Sequence, residues 1–94
     1  MSGFVFSEKP IEMARGEDVW LYDTKGNEYL DFGASYACTP VGHCHPDVVD
    51  AATSQLEDLV YVQASYPHAA RTALYEQLAD TAPVDVDNVW LCNS

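Results

Sequence analysis

Apolar positions change their spacing along the chain, and each change marks an element. In 19–32, aromatic and branched residues gather in two runs, Val19-Trp20-Leu21-Tyr22 and Glu28-Tyr29-Leu30-Asp31-Phe32, around Asp23-Thr24-Lys25-Gly26-Asn27. Gly26 and Asn27 tolerate the positive φ of a hairpin loop, so this segment predicts a β-hairpin. Gly33, Pro40 and Gly42 punctuate 33–44 as a loop. It is short of charge but holds Tyr, Ser, Thr and His, the composition of loops that face a site. From Pro46 to about Val60, Val48, Val49, Ala52, Leu56, Leu59 and Val60 form a stripe with acids largely off it, which predicts a helix. Pro46 fits the first helical position, and Asp47 complements the helix dipole. Tyr66-Pro67 breaks the pattern. A second helix is predicted from about Ala69 to Ala82, with Ala70, Leu74 and Leu78 on one face and Pro83 as its stop. Asn88-Val89-Trp90-Leu91-Cys92 reads as a short buried strand. Near the start, Phe4, Val5 and Phe6 are expected to dock on another surface. Hairpin, helix, helix and buried strand in this order predict the opening of an α/β protein.

Composition narrows the picture. Ninety-four residues allow one small domain at most, and a domain of that size hides only about 60–65% of its unfolded surface. Fifteen Asp and Glu face four Lys and Arg, a net charge of -11. The acids are spread along the chain rather than gathered in a tail, so they predict a heavily hydrated surface of the salt-adapted kind. They leave no basic stripe to meet nucleic-acid phosphates or anionic membranes. No apolar run approaches the ~20 residues of a membrane span, and the first ten residues lack a basic start followed by an apolar run. Three cysteines, two of them close together, argue against a disulfide framework and for a reducing cytoplasm.

Cys38, His43, Cys44 and His45 put four potential zinc ligands in one short stretch. Adjacent side chains in extended backbone point opposite ways, and a second ligand pair far along the chain is missing apart from Cys92, so no metal site is expected. The preferred reading has His45 capping the helix or hydrogen-bonding the loop, and Cys38 and Cys44 behaving as small buried apolar residues. Cys44 lies near a helix N-terminus, which lowers a thiol pKa, but no base or oxyanion hole accompanies it. Asp23, Glu28 and Asp31 read as solvated hairpin acids. Tyr36 in the loop, and Tyr61 and Tyr66 in the break between helices, fit either plain packing or a pocket wall with a flat face and a hydroxyl.

Arg15-Gly16-Glu17, Trp20-Leu21-Tyr22-Asp23, Gly26-Asn27-Glu28-Tyr29-Leu30-Asp31-Phe32 and Gly42-His43-Cys44-His45-Pro46 together resemble the amino-terminal part of class III aminotransferases, pyridoxal-phosphate enzymes of fold type I. Val89-Trp90-Leu91-Cys92-Asn93-Ser94 resembles the strand leading into that family's Asn-Ser-Gly-Thr-Glu-Ala run. Within the class the chain is most similar to the acetylornithine and ornithine group, including transaminases whose substrates ride on a small acidic amino-group carrier protein.

The resemblance implies that 1–66 belongs to a small domain with the hairpin and a helix. It implies that 67–94 begins the large cofactor-binding domain and ends in the first strand of its sheet. Tyr36 matches the loop tyrosine that contacts the substrate's amino-acid end. Tyr66 falls one place before a second pocket aromatic, where this chain has Pro67, and Thr39-Pro40 departs from the commoner Val-Asn-type loop. Ser94 matches the first residue of the turn that holds the cofactor phosphate.

No catalytic residue is expected within the chain, because the aldimine lysine, the acid facing the pyridine nitrogen and the carboxylate-binding arginine match later positions. The implied whole enzyme is a cytoplasmic homodimer. It moves an amino group between a diamino acid and 2-oxoglutarate in arginine or lysine synthesis. The chain reads as a truncated, inactive portion of it. A small zinc-binding module and an acidic interaction protein are the competing readings.

Overall fold

A computed structural model describes residues 9–93. The docking expected of Phe4 to Phe6 and the phosphate role expected of Ser94 lie outside the described residues. Three antiparallel strands, β1 (Met13–Glu17), β2 (Trp20–Asp23) and β3 (Glu28–Leu30), lie in the order β1-β2-β3. The hairpin is β2–β3, and β1 adds a strand that the apolar pattern does not announce, since its Met-Ala-Arg-Gly-Glu run has no alternation. Pairing with the edge of β2 supplies what the pattern lacks. Arg15 pairs with Tyr22 and lays its guanidinium 3.5 Å from that ring's centre. The register slips between Met13 and Arg15, a bulge at Ala14 that adds local twist.

The hairpin turn is built on Asp23, the buried polar residue among those described. Its carboxylate accepts the backbone N–H groups of Lys25 and Asn27, the Asn27 side-chain amide and the Tyr29 hydroxyl, all at 2.8 to 3.0 Å. An aspartate that bonds its own backbone ahead of a glycine is an Asx-type turn, with Gly26 at φ +84°. Asp23 is therefore a structural group and not the solvated acid expected.

After β3 the chain makes a single left-handed helical turn, α1 (Ala34–Ala37), with φ of 48°, 49°, 71° and 61° at four successive non-glycine residues. Sequence punctuation predicts only a loop here. Left-handed helix costs roughly 1–2 kcal/mol per L-residue, so the turn needs specific partners. The chain then turns through Thr39, Pro40, Val41 and Gly42, closed by the Gly42 N–H on the Thr39 carbonyl at 3.0 Å.

Helix α2 (Pro46–Asp58) and helix α3 (Ala69–Thr81) match the predicted spans closely. His45 Nδ1 accepts the Asp47 N–H at 3.2 Å, so His45 does cap α2. His68 caps α3 in the same way through Ala70, a role not read from the sequence. The 89–92 run does not form the expected buried strand. Among the described residues it pairs with nothing, and Trp90 is 88% exposed. A strand is made by its neighbour's ladder, and apolar composition cannot substitute for one.

The chain divides after Asp58 into two compact units. In neither does a described apolar side chain become buried, so the stripes of α2 and α3 keep Val48, Leu56, Leu74 and Leu78 open to solvent. Cys38 and Cys44, expected to be small buried apolar residues, are exposed as well, because no layer of the described fold covers their loop.

Candidate functional site

In the first unit the open ends of β2 and β3 and the 39–43 loop enclose a cleft of about 510 Å³, lined in part by Leu30, Asp31, Phe32, Pro40 and His43. Its polar wall is a single connected cluster. Asp31 Oδ1 accepts the Ser35 N–H at 3.0 Å, and Oδ2 accepts the Ser35 hydroxyl at 2.7 Å. His43 Nε2 lies 2.6 Å from the same Oδ2. The Ser35 N–H first, then its hydroxyl, then His43 hold the Asp31 carboxyl below the usual carboxylate range. An ionised carboxylate only accepts, so His43 carries its hydrogen on Nε2 and donates.

His43 is fixed from its other side. Its backbone exchanges two hydrogen bonds with Asp18, at 2.7 and 3.0 Å, forming a bridge between the loop and the sheet. Its ring lies against Gly16. Gly42, at φ +88°, brings its backbone close to Asp18 where a side chain would be crowded. Asp31 is therefore not the solvated hairpin acid expected from its place in the sequence. The side chains of His43 and Asp31 are in fact only 13% and 11% exposed. The available signal was the serine four residues after Asp31, within reach of a carboxylate that ends a strand.

Tyr36 follows Ser35 directly, and its side chain is 98% exposed on the left-handed turn beside this cleft. Tyr66 belongs to the second unit and is 61% exposed. Its loop is held by Arg71, whose guanidinium donates to the carbonyls of Ala64 and Tyr66 at 3.1 and 3.2 Å and reaches that of Val62 at 3.5 Å. Tyr61 is also exposed.

The ligand-rich stretch is otherwise engaged. His43 serves Asp31, His45 caps α2, and Cys38 Sγ lies 3.6 Å from the Tyr36 carbonyl. Among the described residues no three of His, Cys, Asp and Glu lie close enough to hold a metal ion. Among these residues no helix is long and apolar enough to cross a membrane either. Lys9 and Lys25 are exposed, unlike the desolvated lysine that Schiff-base chemistry uses. The described residues therefore do not form a pyridoxal-phosphate cradle.

A family model described as aminotransferase class-III matches residues 6–94. The acetylornithine aminotransferase of Methanopyrus kandleri is 37% identical over 89 residues, which cover 95% of this chain and 23% of that protein. The [LysW]-aminoadipate semialdehyde transaminase of Deinococcus radiodurans is 32% identical over 90 residues, covering 96% and 21%. Among solved structures, the omega transaminase from Pseudomonas jessenii in complex with PMP superposes with a TM-score of 0.73 at 27% identity, over 81% of this chain and 17% of that one. The chain thus spans about a fifth of the length of the curated relatives it matches. Its small antiparallel sheet and helices are those of the amino-terminal part of pyridoxal-phosphate transaminases.

Proposed function

The chain belongs to the class-III aminotransferases, and from that premise we propose that it is the amino-terminal portion of an enzyme moving an amino group between a diamino acid and 2-oxoglutarate. The observation that carries this reading is the family match over 6–94. The kinship with acetylornithine and carrier-linked semialdehyde transaminases supports a diamino substrate of arginine or lysine synthesis, free or presented by an acidic carrier protein. In this reading the enzyme is a cytoplasmic homodimer, with 1–66 in its small domain and 67–94 opening the large one. Pyridoxal phosphate is the cofactor, with Ser94 at its phosphate.

The part assigned to this chain is one wall of the substrate site. Tyr36 offers its hydroxyl and ring face to the substrate's amino-acid end, and Tyr66 is assigned a substrate contact of its own. The 94 residues alone are proposed to be inactive, since Lys9 and Lys25 are exposed.

The experiment supplies pyridoxal phosphate, 2-oxoglutarate and a set of diamino donors to the full-length enzyme and, separately, to the 94-residue chain. Glutamate formation by the former with acetylornithine, ornithine or a carrier-bound donor is expected. Preference for a monoamine donor would overturn the substrate assignment. Turnover by the short chain would overturn the division of labour.

A further inference from the structure

We propose that Asp31 and His43 are positioning residues, a clasp that holds the left-handed turn and thereby fixes where Tyr36 is presented. The proposal deepens the reading of Tyr36 as a substrate contact and rests on it.

Tyr36 is almost fully exposed. At 98% exposure its side chain is not packed into place, so its direction comes from its backbone. That backbone, at φ 71° and ψ 42°, lies in a region that non-glycine residues seldom adopt, as do its neighbours Ala34, Ser35 and Ala37. The bonds from Ala37 N–H to the Gly33 carbonyl and from Cys38 N–H to the Ala34 carbonyl, both 2.8 Å, would form in a turn of either hand. They stabilise a turn without choosing its sense.

The group that distinguishes this turn is the Asp31 carboxylate, which takes both the backbone N–H and the hydroxyl of Ser35. Two charge-assisted bonds to one residue fix its orientation as well as its distance. Asp31 is held in turn by His43 at 2.6 Å. His43 is anchored to the sheet through its backbone bridge to Asp18 and its seat on Gly16. The chain of constraint runs from sheet to His43, to Asp31, to Ser35, and arrives at Tyr36 through one peptide bond. Tyr36, almost fully exposed, is located by a part-buried residue that acts on it through Ser35, which is what a positioning role requires.

The test uses the full-length holoenzyme and two readouts. Hydrogen–deuterium exchange reports the turn directly. Asp31→Asn and His43→Leu should speed exchange of the Ala37 and Cys38 amides by about tenfold while leaving the β2–β3 ladder protected, and Ser35→Ala, the mildest change, should act in the same direction. His43→Gln, which keeps a side-chain N–H for Asp31, should restore slow exchange.

The second readout is a double-mutant cycle. Asp31→Asn should lower kcat/KM for the diamino donor by roughly tenfold when Tyr36 is present, and by less than about twofold in a Tyr36→Phe background. Unchanged exchange in Asp31→Asn overturns the clasp. Faster exchange with equal kinetic losses in both backgrounds overturns the positioning of Tyr36 and leaves Asp31 a general structural group. A loosened turn with full activity in Tyr36→Phe supports the clasp and removes the substrate reading of Tyr36, so the two failures are distinguishable.

Discussion

Gly16 and His43 are in contact that only a missing side chain permits: a Cβ built on Gly16 would stand 2.8 Å from both Cβ and Cγ of the histidine. That spacing is closer than carbon atoms tolerate, and the neighbour that would have to move is tied to the sheet at Asp18 and to Asp31. Gly16→Ala should therefore cost about 1–3 kcal/mol, the range for overpacking a tight contact. Chemical denaturation of the full-length enzyme measures it, and the His43 ring resonances should shift at the same time. A stability change within about 0.5 kcal/mol of zero would show that the contact relaxes freely.

The turn of the β2–β3 hairpin should be acid-sensitive in a defined window. Asp23 is lowered to about 2, chiefly by the Asn27 side-chain amide, with the Asn27, Tyr29 and Lys25 bonds adding to it against the opposing effect of burial. A depressed carboxylate pKa means the folded state binds its proton later than the unfolded chain does. Its stabilisation is complete above the ordinary value near 3.8 and is lost as pH falls toward about 2. Carbon-detected NMR of the Asp23 carboxyl should titrate in that low range. Asn27→Ala should raise the midpoint, and an unchanged midpoint would contradict the assignment of the leading partner.

The Tyr36 hydroxyl is the group assigned to substrate. Tyr36→Phe in the full-length enzyme should reduce kcat/KM for the diamino donor by about two- to tenfold, the worth of one lost hydrogen bond of roughly 0.5–1.5 kcal/mol. Cofactor affinity should stay unchanged. Equal losses in cofactor binding and turnover would make the tyrosine structural.

Arg71 should control the loop that carries Tyr66. Its planar fork serves carbonyls of that loop at separate positions, and the compact ammonium of lysine cannot reproduce such a fork. Arg71→Lys and Arg71→Ala should therefore behave alike, each speeding exchange of amides in 62–66 and costing about 1–2 kcal/mol of stability. Full retention of protection in Arg71→Lys would mean that charge, not geometry, holds the loop.

What could be read in advance was what neighbouring residues decide between themselves. Pro46, Asp47 and a stripe at helical spacing placed α2 within a few residues of Pro46–Asp58, and Pro83 bounded α3 at Ala69–Thr81. Helical hydrogen bonds join residues four apart, so composition within a short window carries the information. The hairpin was legible for the same reason, since Gly26 and Asn27 shape the turn locally. The ordered motifs from Arg15 to Ser94 also carried the family, and with it the expectation for Tyr36.

Tertiary structure decided everything that joins distant positions. β1 has no strand pattern of its own and exists because the edge of β2 accepts it. The 89–92 run has the composition of a strand and finds no ladder among the described residues. Asp31 and His43, twelve residues apart, look like a surface acid and a spare metal ligand until the chain folds back and brings them to 2.6 Å. The left-handed turn follows from that pairing, because its four positive φ angles are unfavourable to each residue alone. Such contacts depend on closing a loop and on what lies across it, and neither is encoded in the spacing of apolar positions along the chain.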